Sequence, residues 1–130
     1  MKISGNFEVN LSPLDVYAQG IDGLKLGRMS IDKQFKGALE ATSKGEMLSA
    51  ITTVKGSAGY VAIEQVSGFL SGKKGSFVLQ HFGTMNQGSD RLVLEVVPNS
   101  GSGELSSLSG KMAIKIEGGK HCYEFEYELA

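Results

Sequence analysis

Apolar and polar residues alternate along most of this chain with a period of two rather than 3.6, which predicts strands rather than helices. Runs of this kind cover residues 3–10, 26–36, 38–43, 46–54, 59–70, 75–85, 90–98, 111–117 and 120–129. The last is the most regular, with Tyr123, Phe125, Tyr127 and Leu129 alternating with Glu124, Glu126 and Glu128. Glycine-bearing turns separate the runs, as in an antiparallel meander. So many strands in 130 residues cannot stay flat and open. Closure or a two-layer sandwich is therefore expected, and of the two the all-β fold expected here is a closed antiparallel barrel of about eight strands, in a single domain spanning residues 1–130.

Two segments depart from the pattern. Ser12-Pro13-Leu14-Asp15 sets a capping residue before a proline, which predicts a short helix over residues 12–19 ending near Gly20. Residues 99–110 read as a long turn that contains at most one helical turn, with Leu105 and Leu108 pinned to the body.

Turn chemistry then sets the registers. A two-residue turn at Gly72-Lys73 places Val66 opposite Leu79 and Glu64 opposite His81. A turn around Gly56-Ser57 places Ile51 opposite Ala62 and Ser49 opposite Glu64. A turn at Asn86-Gln87-Gly88-Ser89 places Leu92 opposite Gly83, Leu94 opposite His81 and Val96 opposite Leu79. One face thereby collects Met47, Ile51, Tyr60, Ala62, Val66, Leu70, Phe77, Leu79, Leu92, Leu94 and Val96, and is the expected core side. The other carries Glu46, Gln65, Gln80, Arg91 and Glu95.

A polar row, Ser49, Glu64 and His81, crosses the inward face. A buried carboxylate is costly without a partner, and a facing imidazole can be that partner. The row reads either as a satisfied internal pair or as the polar anchor of a ligand cavity, where Tyr60, Tyr123 and Tyr127 would add hydroxyls. A serine nucleophile is not expected, because a triad needs the imidazole between hydroxyl and acid, and here the acid is central. Glu64 and His81 remain candidates for a general acid–base pair. The outward face is too apolar for a solvated wall: Val61, Ile63, Phe69, Val78, Phe82, Val93 and Val97 fall there. A homo-oligomer through this wall is expected, unless residues 11–25 cover it.

Composition narrows the classes further. Thirteen basic and fourteen acidic residues nearly cancel, so no field steers the chain toward nucleic acid. No apolar run approaches the roughly 18 residues of a membrane helix. The opening Met1-Lys2-Ile3-Ser4-Gly5 lacks the apolar core of a signal peptide, and Cys122 has no disulfide partner, so a cytoplasmic location is expected. The histidines, His81 and His121, have no metal-ligand spacing, and no metal is expected. Gly101-Ser102-Gly103 lacks the third glycine and the βαβ setting of a dinucleotide loop, so no cofactor is expected either.

Several segments resemble a known family: Gly56-Ser57-Ala58-Gly59-Tyr60, the run from Gly75-Ser76-Phe77-Val78-Leu79-Gln80-His81 to Thr84, Val97-Pro98 through Leu105, and His121 to Tyr127. They are similar to a bacterial family of small uncharacterised proteins grouped with allene-oxide-cyclase-like barrels. The resemblance implies an eight-stranded antiparallel barrel of calycin-type architecture, and self-association. It does not imply cyclase activity. The plant cyclases act on an unsaturated fatty-acid epoxide in an apolar barrel cavity through a bound water and a glutamate, and Glu64 is the residue to test for an analogous role.

Three functions are consistent with these readings. The first is binding of a small apolar ligand inside the barrel, anchored by Ser49, Tyr60, Glu64, His81, Tyr123 and Tyr127. The second is an isomerase, cyclase or hydratase using Glu64 and His81. The third is a non-catalytic oligomeric interaction protein.

Overall fold

The computed structural model describes residues 1–130. Strands β1 (Lys2–Pro13), β2 (Lys25–Gly37), β3 (Leu39–Ile51), β4 (Ala58–Leu70), β5 (Lys73–Asn86), β6 (Ser89–Val96), β8 (Ser109–Glu117) and β9 (Lys120–Glu128) close into one antiparallel barrel. A two-residue strand, β7 (Ser102–Gly103), adds to the outer part of β5. There are no helices, and hence none long and apolar enough to cross a membrane. The helix expected over residues 12–19 does not form. Ser12 and Pro13 instead extend β1, pairing with Ser30 and Met29, because a proline at a strand end loses no ladder bond.

The expected strands 38–43 and 46–54 are one strand, β3, running unbroken through Lys44 and Gly45. Gly45 stays in the ladder opposite Glu64, where a Cβ would collide with the β4 backbone. It is a point of close approach rather than a turn.

Two of the three expected registers are shifted. The β4–β5 turn falls at Ser71-Gly72, both with positive φ, so Leu70 faces Lys73, Glu64 faces Leu79 and Ala62 faces His81. Both central residues of a type I′ turn require that conformation. Across β3 and β4, Ser49 faces Tyr60 and Gly45 faces Glu64, so Ser49 is not the neighbour of Glu64. The β5–β6 register matches expectation: Leu92 faces Gly83, Leu94 faces His81 and Val96 faces Leu79. Both errors are even numbers of residues, so every side chain stays on its expected face.

Phe7, Phe35, Val66, Leu70, Phe77, Leu79, Leu94, Tyr123, Phe125 and Tyr127 are among the buried residues that fill one end and the middle of the barrel. Leu105 and Leu108, in the 99–110 segment, join that core as expected and plug the end. The opposite end is open: Ile51 and Leu92, expected in the core, are half exposed at its rim. One seam is weak. Strands β6 and β8 share the single pair Glu95–Lys111, and a groove of about 480 Å³ opens between them.

Candidate functional site

The open end holds a recess of about 430 Å³. Met29, Met47, Ile51, Met85 and Leu92 make its walls, with Ser49, Thr84 and Asp90 as rim polar groups and Tyr60 among its lining residues. Tyr60 occupies that place because its cross-strand partner is Gly83. Its ring lies over the bare Cα, where a Cβ would overlap the ring atoms. Gly83 is therefore a requirement of space, not of backbone conformation.

Beneath Tyr60 a polar chain runs into the barrel. Tyr60 Oη is 3.1 Å from His81 Nδ1, and His81 Nε2 is 2.7 Å from Glu64 Oε1. Lys33 Nζ donates to the same Oε1 at 2.9 Å, and Ser43 Oγ donates to Oε2 at 2.6 Å. The Glu64 side chain is fully buried, and those of His81 and Lys33 nearly so. The Lys33 ammonium also lies 5.0 Å from the ring centre of Phe7 and 5.7 Å from that of Phe35, which helps hold a cation out of water. No buried side-chain nitrogen or oxygen in the chain lacks a partner.

This arrangement keeps Glu64 ionised. Burial pushes the Glu64 carboxyl upward, but the His81 hydrogen bond, the Lys33 charge and the Ser43 hydroxyl outweigh it and hold the pKa at about 2. Glu64 is thus a carboxylate and can only accept, so His81 Nε2 carries a proton. Protonating Nδ1 as well would set two buried cations, Lys33 and imidazolium, on one carboxylate oxygen. The charge-balanced arrangement of this cluster has the imidazole proton on Nε2 and a bare Nδ1 facing the Tyr60 hydroxyl, which can donate to it. Burial, and then the Glu64 charge, raise the Tyr60 pKa, which keeps the phenol intact.

Of the residues the sequence singled out, Tyr60, His81 and Glu64 are brought together and Ser49 lines the recess beside them. Tyr123 and Tyr127 serve elsewhere. The Tyr123 hydroxyl donates to the Lys36 carbonyl and accepts from the Leu39 amide, and that of Tyr127 bonds Ser71 Oγ. Lys33 and Ser43 were missed. Lys33 carries a readable signal, a lysine in phase with Ile31 and Phe35 on the buried side of β2. Ser43, between the inward Ala41 and Gly45, carries a weaker one.

A closed, largely filled barrel with one apolar mouth, floored by a tyrosine on a buried ion pair, defines the class. The chain belongs to the DUF3224 family of proteins of unknown function, whose model matches residues 3–127. It is similar, at 62% identity, to a crystal structure of a DUF3224 protein of unknown function from Shewanella oneidensis MR-1. The alignment covers 100% of this chain and 97% of the other, with a TM-score of 0.98. No curated protein matches.

Proposed function

We propose that the barrel binds a small apolar molecule in its open mouth, against Tyr60. The observation that carries this reading is an apolar recess of about 430 Å³ lined in part by Tyr60, whose hydroxyl is held by a buried polar chain. That volume falls within the roughly 300–1,000 Å³ of small-ligand sites, and few polar groups on apolar walls are their usual lining. Glu64 acts here as a positioning residue. It is wholly buried and its oxygens are taken by Lys33, His81 and Ser43, so it holds His81 and does not reach the ligand.

A second reading is favoured by one observation. His81 lies between an acid and a hydroxyl, in the order Glu64, His81, Tyr60, the order of an acid–imidazole–hydroxyl relay. In an isomerase, Tyr60 Oη would take a proton from the substrate while passing its own to Nδ1. The Lys33 charge already balances Glu64, so the imidazolium would itself be a buried cation without a counter-charge. That cost places binding ahead of proton transfer. The likeness to allene-oxide-cyclase-like barrels supports an apolar cavity under either reading, and the cytoplasm remains the expected location.

Methionine methyl NMR tests the binding reading. Met29, Met47 and Met85 line the mouth, whereas Met112 is in the core and Met1 at the chain start. Titration with 2-methoxynaphthalene and 2-naphthol should move the first three methyl signals and leave the other two in place. Unmoved mouth signals with both compounds would refute a ligand site there.

A further inference from the structure

We infer that the mouth selects an apolar alcohol or phenol, a ligand that donates a hydrogen bond to Tyr60. This rests on the mouth being a ligand site. With its only proton given to His81 Nδ1, Tyr60, a lining residue of the mouth, can only accept from a ligand that reaches its oxygen. A ketone or ether at that point can bind Tyr60 only if the hydroxyl turns away from His81. That would strip a nearly buried Nδ1 of its partner, because Nε2 already holds the ring proton against Glu64. The polarity is set three residues deep: Lys33 balances Glu64, Glu64 orients His81, and His81 takes the Tyr60 proton. Ser49 can donate or accept and so does not set the direction, and Asp90 at the rim also favours a donor.

The test compares 2-naphthol with 2-methoxynaphthalene, which differ by one methyl on the oxygen, against the wild type and Tyr60→Phe. The wild type should bind the naphthol tighter by about tenfold or more, the cost of one unmade buried hydrogen bond. Tyr60→Phe should erase that preference while still binding the ether. Equal binding of the two by the wild type, or a preference that survives Tyr60→Phe, would overturn the donor rule and leave the ligand site standing. Binding of neither compound would overturn the site itself.

A separate observation concerns the outer wall. Leu48, Val61, Phe82 and Val93 are directly opposite one another across β3, β4, β5 and β6 and form one apolar row, each 36–54% exposed. Residues 11–25 leave it uncovered. Phe69 stands apart, between Glu40 and Lys74. On the mouth side the row is flanked by Ala50, Gly59, Thr84 and Arg91, and on the other side by Glu46, Ile63, Gln80 and Glu95. We propose that a second copy of this chain covers the row, related by a two-fold axis along it. That axis exchanges the flanks: Arg91 meets the partner's Glu95 twice over, and small Gly59 meets the partner's Ile63. Such a patch is self-complementary in charge and in size, as a two-fold contact requires.

Sedimentation velocity on the whole chain should show a dimer, made monomeric by Phe82→Glu with the circular dichroism spectrum unchanged. Arg91→Glu should weaken the dimer and Arg91→Glu with Glu95→Arg should restore it. A wild type that stays monomeric, or a double reversal no better than the single, would overturn the proposal.

Discussion

His81 Nε2 lies 2.7 Å from Glu64 Oε1, although the two residues are not opposite each other in the sheet. Glu64 faces Leu79 and His81 faces Ala62, so the contact is diagonal across β4 and β5. The residue opposite His81, Ala62, carries only a methyl group and offers the imidazole no polar partner of its own. The diagonal frees the other imidazole nitrogen to reach Tyr60, two positions further toward the mouth on β5's neighbour.

Replacing Glu64 removes the anion that holds a buried lysine. Glu64→Gln should destabilise the barrel by about 3–5 kcal/mol, because the Lys33 ammonium keeps its burial and loses its counter-charge. Lys33→Met added to Glu64→Gln should restore a large part of that loss. Urea unfolding of the wild type, both single variants and the double closes the cycle, and simple additivity would mean the two groups do not interact.

Acid should expose the same pair. The folded Glu64 pKa, about 2, is below that of an unfolded carboxylate. Its contribution is therefore complete above the unfolded value and is lost as pH falls from there through about 2. The size is on the order of 3 kcal/mol. Unfolding midpoints of wild type and Glu64→Gln should converge as pH drops across that window. Parallel curves would mean that Glu64 is not held ionised in the fold.

Much of this could be read from the chain, and the failures share one cause. Alternation assigned Tyr60, Glu64 and His81 to the inward face, and burial agrees. Turn position was read wrongly between Leu70 and Lys73 because the sequence offers two adjacent pairs, Ser71-Gly72 and Gly72-Lys73. Only the backbone shows Ser71 adopting positive φ. That shift keeps faces and loses partners across β4 and β5, and a separate misplacement of the turn near Gly56-Ser57 slides β3 along β4, setting Ser49 opposite Glu64, where Gly45 lies and Ser43 reaches the carboxylate. Lys33 was legible as a charge in apolar phase, but its partner lies 31 residues away on a strand that is not its ladder neighbour.

Gly83→Ala tests how Tyr60 is placed. A methyl group there overlaps the Tyr60 ring, which must lift from β5 and leave His81. The cost should be about 1–3 kcal/mol in stability. The chemical shift of the Tyr60 ring should change with it. A variant with wild-type stability and an unmoved ring would show that Gly83 is not what seats the tyrosine.

The seam between β6 and β8 should be the first part of the barrel to open. Its one ladder pair leaves most of both edges unpaired to each other, whereas β3 and β4 pair from Leu39–Leu70 to Ile51–Ala58. Native-state hydrogen exchange should show less protection in β6 and β8 than in β3 and β4. Equal protection would make the barrel one cooperative unit.

The polarity of Tyr60 depends on the state of His81, and the nitrogen-15 spectrum of that imidazole at neutral pH reads the state directly. The expected spectrum is that of a protonated Nε2, coupled to the Glu64 carboxylate, and a bare Nδ1 that accepts from Tyr60. A proton on Nδ1, with or without one on Nε2, would contradict it.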